Sequence, residues 1–255
     1  MPPEAREVCT PLEVEAWRGL LRHHPDRWFA EYILRGIKSG FRIGFHGNQA
    51  ELRAKMNNMV SAVEHPAVVT GYLNDELSRG RIAQVGSLEE AKERGIHCSP
   101  FGVIPKKNRA NKWRLILDLS APEGRSVNDG IQKDLASLAY VSVDDVVAEV
   151  VRRGRGTLIA KMDIKQAYRN IPVHPQDRHL LGMQWKGEVF VDMVLPFGLR
   201  SAPLLFTAVA DALQWAMQQR GVSWVDHYID DFVTMGEPHN IMWLDLHLEI
   251  WLYTI

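Results

Sequence analysis

The chain has 255 residues, with 30 Lys and Arg against 31 Asp and Glu, 46% hydrophobic and 24% charged residues. That is the balance of an ordinary globular protein of one large domain or two small ones. Two cysteines, Cys9 and Cys98, with no CxxC pair, exclude a disulfide framework or a cysteine zinc site. With no apolar run of about 18 residues and no apolar core in MPPEAREVCT, the expectation is an intracellular protein in a reducing compartment, with no membrane partner.

Residues 10–40 read as two helices. Thr10-Pro11-Leu12-Glu13 has the form of a capping box with proline at the first helical position. Trp28, Phe29, Tyr32, Ile33 and Ile37 then recur at helical spacing, with Gly36 and Gly40 marking the end. Residues 41–50 read as a loop, 51–63 as a third helix, Pro66 to about Gly80 as a fourth, and 81–100 as a connector. FGVIPKK and WRLILDL flank a basic stretch and predict a hairpin with a long loop. Ser142-Val143-Asp144-Asp145 starts a capped helix whose valines at 143, 146, 147, 150 and 151 predict a core-facing stripe. A strand over Thr157–Ile164, a hairpin about Lys186-Gly187, a strand ending at Leu195-Pro196 and a long helix from Ser201 to Gly221 follow. A last hairpin centres on Tyr228-Ile229-Asp230-Asp231. Strands and helices do not strictly alternate, which predicts an α+β fold with a largely antiparallel sheet.

Acidic residues in apolar strands stand out. Asp163 closes LIAKMD, and Asp230-Asp231 interrupts WVDHYIDDFVTM. A carboxylate in such a setting bears a desolvation cost unless a cation offsets it. Oxygen ligands suit Mg²⁺, which takes one or two protein carboxylates plus substrate phosphates. A lone Asp at a strand end is more often a turn residue, and an adjacent pair in a hairpin often is too. Spacing alone does not bring positions 163 and 230 together.

The region from Phe101 to Met235 resembles the fingers–palm region of reverse transcriptases. KMDIKQAY is similar to the first palm motif, LPFGLRSAP to the second, YIDD to the third, and IPKKNR with WRLILDLS to the fingers hairpin, in the family's order. LPFGL, SVNDGI, DRHLLGMQW and HYIDDFV are most similar to LTR or DIRS-like retrotransposon elements, and PDRWFAEYILRGIKSGFRIGF favours the DIRS-like group. The resemblance implies a polymerase palm, an antiparallel sheet backed by helices 142–153 and 202–219, with fingers from 101–135 and the N-terminal helices. It divides the chain into a helical N-terminal extension over 1–100 packing on the fingers, fingers–palm over 101–240, and a divergent tail over 241–255. The family continues with a thumb, and none is expected in the short stretch after Asp231.

The resemblance also implies roles. Asp163, Asp230 and Asp231, with the Ile164 carbonyl, hold two Mg²⁺ ions, Mn²⁺ being the alternative. Tyr168 is the steric gate against a ribose 2′-hydroxyl. Phe197 and Gly198 form the nucleotide-pocket wall, with glycine admitting a close backbone approach. Arg114 and Lys106 or Lys107 hold the triphosphate. The expected partners are an RNA or DNA template, a primer, dNTPs and other polyprotein domains such as RNase H. The expected function is RNA-directed DNA polymerase. The alternatives are a degenerate, non-catalytic fragment with at most nucleic-acid binding, and an RNA-directed RNA polymerase, against which Tyr168 weighs. Each residue also has an ordinary role open to it. Tyr168 can fill core, Arg114 can be a solvated edge charge, Gly198 can serve a turn, and Ser201 can cap its helix.

Overall fold

The computed structural model describes residues 6, 8, 10–52, 57–105, 113–133 and 140–236. The lysines at 106 and 107 and the tail at 241–255 lie outside them. Helices α1 (Val14–Leu21) and α2 (Arg27–Ser39) form the start. Asp26 caps α2 by accepting from the Phe29 amide, and Gly40 ends it at φ 88°. Thr10 does not cap a helix. Its hydroxyl donates to the Asn170 carbonyl at 2.6 Å, and α1 begins only after Glu13. Gly36 lies inside α2 rather than at its end, where any Cβ would strike the Phe41 ring.

Within the helix expected at 51–63, the described residues hold α3 (Val60–Glu64), and before it Asn58 and Met59 bond to the Phe101 backbone instead of entering a helix. Helix α4 (Pro66–Ser78) follows as predicted. The expected connector at 81–100 instead holds strand β1 (Ile82–Ser87) and helix α5 (Leu88–Glu93), the latter with a Ser87–Glu90 capping box. The predicted hairpin is β2 (Phe101–Pro105) with β3 (Trp113–Leu117).

Helix α6 (Val143–Arg153) has the predicted Ser142–Asp145 capping box, but its stripe does not enter the core. Val143, Val147 and Val151 are 78%, 53% and 75% exposed. Periodicity fixed the helix and its apolar face; which surface that face meets depends on tertiary contacts. Arg152 and Arg153 grip Glu149 through contacts of 2.6–2.7 Å and hold its carboxyl down to about 2. A carboxyl depressed below its unfolded value stabilises above about pH 4.5, and that support is lost as pH falls toward 2. Acidification from pH 5 to pH 2 is therefore expected to move the Cα chemical shifts of 143–153 toward random-coil values. A Glu149→Gln variant should show no such step.

The rest is strand β4 (Leu158–Asp163), the short helix α7 (Pro175–Arg178), strands β5 (Gly182–Trp185) and β6 (Glu188–Asp192), helix α8 (Ala202–Gln219), and strands β7 (Val225–Tyr228) and β8 (Asp231–Gly236). Lys186 and Gly187 both have positive φ, as a two-residue type I′ turn requires. β6 ends at Asp192, three residues before the predicted Leu195. Ser201 does not cap α8; its hydroxyl donates to the Ile43 carbonyl at 2.8 Å. Among the described residues three antiparallel sheets result, β1-β6-β5, β2-β3 and β4-β8-β7. α8 backs β7, and α1 and α2 lie against α8, with the His24 and Trp215 rings 4.6 Å apart. Trp17, Phe41, Phe101, Phe206 and Phe232 are fully buried in the shared core. Among the described residues, no helix is long and apolar enough to cross a membrane.

Candidate active site

The sheet β4-β8-β7 brings the separated acidic segments together. Asp163, the last residue of β4, pairs in register with Asp231, the first of β8. The Ile164 amide donates to the Asp230 carbonyl at 3.0 Å, so the end of β4 is bonded directly to the β7–β8 turn. Tyr228 pairs with Asp231, which leaves Ile229 and Asp230 as a two-residue hairpin turn. Ile229 has φ 55°, a conformation that a β-branched residue seldom adopts. The first turn residue of a type II′ hairpin requires a positive φ and favours glycine. The strained turn lifts Asp230 out of the ladder beside Asp163.

The carboxylates have different surroundings. Burial pushes the Asp230 carboxyl above its ordinary value. Its own backbone amide opposes the rise, Asp163 and Asp231 add repulsion, and Arg114 counters in part. Asp163 is exposed, so the desolvation cost expected there does not exist; the burial argument holds at Asp230. Asp231 is ion-paired with Lys161 at 3.0 Å, both half-exposed. Among the described residues no group of three acidic, His or Cys side chains is drawn together as a ready metal cage. The donor set nonetheless suits a hard divalent cation. Negative charges converge on Asp230, and such an ion needs only one or two protein carboxylates when the substrate supplies phosphate oxygens. The Ile164 carbonyl accepts from the Ala167 amide at 3.2 Å, which leaves one lone pair of that oxygen for another partner.

Tyr168 lies on a 3₁₀ turn (Ala167–Asn170) just after Asp163. Its ring is 5.6 Å from Phe197 and 5.7 Å from Phe206. Burial raises its hydroxyl pKa to about 12, with Tyr140, Asp230 and Tyr228 adding to the shift. The guanidinium of exposed Arg114, on β3, sits 4.8 Å above the Phe197 ring. Arg114, Phe197 and Tyr168 thus form one continuous wall, with Asp230 near enough to act on the Tyr168 hydroxyl. Gly198 belongs to it for a reason other than the expected one. It has φ 105°, and a Cβ there would strike the Leu117 carbonyl oxygen, so the glycine is required by approach to the end of β3.

Two residues of this wall escaped sequence reasoning. Buried Asn128 donates to the Gly198 carbonyl at 2.8 Å and accepts from the Arg200 amide at 2.8 Å, fixing the Phe197-Gly198 loop. Its only signal was the turn-like SVNDGI stretch. Tyr140 packs on Tyr228 with tilted rings, centroids 4.9 Å apart, and nothing local to its sequence marks it.

A model of the family "Reverse transcriptase (RNA-dependent DNA polymerase)" matches residues 104–252. The chain belongs to the reverse transcriptase family. Among curated proteins it is similar to the Transposon Tf2-3 polyprotein of Schizosaccharomyces pombe, at 26% identity over 168 residues, 66% of this chain and 11% of that protein. It is also similar to the Retrovirus-related Pol polyprotein from transposon opus of Drosophila melanogaster, at 22% over 204 residues, 78% of this chain and 19% of that protein. The chain therefore spans between a tenth and a fifth of the length of these relatives. The crystal structure of prototype foamy virus protease-reverse transcriptase matches 96% of this chain and 32% of its own, with a TM-score of 0.59 at 16% identity. The same viral enzyme in complex with RNA/DNA hybrid gives 0.55 at 15% identity. The expected α+β palm-type fold and the resemblance to retrotransposon reverse transcriptases are both borne out. Reverse transcriptases in general use divalent metal ions.

Proposed function

We propose that this chain is the fingers–palm part of a retrotransposon RNA-directed DNA polymerase, extending a primer 3′ end with dNTPs along an RNA or DNA template. The observation that carries the reading is the junction of β4 with the β7–β8 turn, through the Asp163–Asp231 pairing and the Ile164–Asp230 bond. It joins the segments carrying the carboxylates of two distant motifs, which supports a shared ion site near Tyr168. Asp163 and Asp230, with Asp231 beside them, would hold Mg²⁺. The ions supply charge neutralisation at the reacting phosphate and a more acidic primer hydroxyl. The protein's own contribution is to position and to neutralise charge. Arg114 offers a fixed guanidinium to the triphosphate, and the basic positions 106 and 107 of the same hairpin add point charges. The Tyr168 ring, wedged between Phe197 and Phe206, occupies the space a ribose 2′-hydroxyl would need. The similarity to a viral enzyme whose structure was determined with RNA/DNA hybrid supports a nucleic-acid template. RNase H and other polyprotein domains are the partners this reading implies.

The test is primer extension with Mg²⁺ or Mn²⁺, comparing dNTPs with rNTPs. The wild type is expected to extend with dNTPs. Tyr168→Ala should keep dNTP use within about tenfold while lowering dNTP-over-rNTP selectivity by ~10–100-fold, the range a lost steric contact supplies. Unchanged selectivity would remove the gate role. Preference for rNTPs in the wild type would instead favour an RNA-directed RNA polymerase, and failure with every nucleotide would favour a degenerate binding fragment.

A further inference from the structure

Beneath the site lies a buried ionic cluster that the reaction does not touch. Arg169, next to Tyr168, donates to Glu76 of α4 at 2.6 and 2.9 Å and pairs with Asp192 of β6 at 2.6 Å. All three side chains are almost fully buried. Arg81 enters the same cluster, 3.8 Å from Glu76. Its backbone is held on both sides, its amide donating to the Glu76 carbonyl at 3.0 Å and its carbonyl accepting from Met193 at 2.9 Å. Its guanidinium turns toward the segment after Asp163. One nitrogen donates to the Gln166 side-chain oxygen and another to Asn170 Oδ1 at 3.1 Å. Asn170 Nδ2 in turn donates to the Lys165 carbonyl at 3.1 Å.

These contacts bracket Tyr168. Gln166 has φ 59°, a left-handed conformation uncommon for a side-chain-bearing residue, and it opens the 3₁₀ turn that carries the ring. Asn170 closes that turn. We propose that Arg81 is a positioning residue for nucleotide selection, its two-pronged guanidinium clamping both ends of the turn so that Tyr168 stays at the Asp163–Asp230 pair. The inference rests on the polymerase reading and adds how its selecting ring is held. A guanidinium presents two well-separated donors in one rigid plane, which a lysine ammonium cannot match in span or direction. The ordinary alternative is that the cluster merely binds α4 to β6. That role is served by Arg169, Glu76 and Asp192 without Arg81.

The experiment compares wild type, Arg81→Lys, Tyr168→Ala and the double variant in primer extension with dNTPs and rNTPs. It also follows hydrogen exchange over 163–171 and over 225–235. Arg81→Lys is expected to lower dNTP-over-rNTP selectivity about tenfold and to speed exchange over 163–171 but not over 225–235. The double variant should lose no more selectivity than Tyr168→Ala alone, because Arg81 acts through that ring. Multiplying losses, or unchanged exchange over 163–171, would overturn the clamp. If the wild type extends no primer, the polymerase reading fails, and the exchange comparison still decides whether Arg81 holds the turn.

Discussion

Asp230→Asn is expected to reduce primer extension by ~10³-fold or more while leaving the thermal midpoint unchanged or slightly raised. The two halves of this result have one physical origin. Asparagine keeps the shape of the turn and removes a charge. If Asp230 holds the ion that neutralises the reacting phosphate, losing that charge forfeits about 4 kcal/mol of transition-state stabilisation. The folded protein, however, disfavours this charge in the absence of ions. Burial and the neighbouring Asp163 and Asp231 raise the carboxyl pKa above its unfolded value. A group raised in this way stabilises fully at low pH and loses that contribution as pH rises through its folded value. At pH 7 without divalent ions, the wild type carries the penalty and the variant does not. Melting curves with and without Mg²⁺ would check this. A variant that lost stability along with activity would show Asp230 to be a structural turn residue.

Arg169→Met is expected to have the largest effect on stability, about 3–5 kcal/mol. For a chain of this size that is roughly 10 °C in melting temperature. The loss comes from the partners left behind. Glu76 and Asp192 would remain buried with their shared counter-charge removed. Burial already lifts Asp192 to about 6 even with Arg169 pulling it down. Without the arginine it rises further, and the stranded Asp192 takes up a proton as pH falls. The deficit should therefore shrink between pH 8 and pH 5. An equal deficit at both pH values would indicate lost packing instead of stranded charge.

The parts of the fold legible in the sequence were those fixed by neighbours within a few residues. The Ser142–Asp145 cap, the Lys186-Gly187 turn and the two-residue turn at Ile229-Asp230 are local devices, and each formed as expected. Strand β1 was missed because its evidence is a pairing with β6 about a hundred residues away. Thr10 misled because its hydroxyl is taken by Asn170, a partner 160 residues distant. The valines of α6 misled because an apolar stripe announces a face and not what covers it. At the candidate site, the motifs named the carboxylates and the Tyr168 ring. They gave no sign of Tyr140 or Arg81 and only the turn-like SVNDGI stretch for Asn128, all three of which reach the site from unrelated segments. Gly198 was singled out for approach to a substrate, and the structure assigns its need to Leu117.

The backbone of Ile229 has a consequence for engineering. A glycine there would relax the backbone of the hairpin but give up the contact Ile229 makes with the core, and it would also free Asp230 to wander. Selection for hardier versions of this protein would tend to enrich replacements that ease this turn without losing that contact, and these would loosen the carboxylate proposed to hold the ion. A library screened on survival alone would drift away from the property it was built to keep.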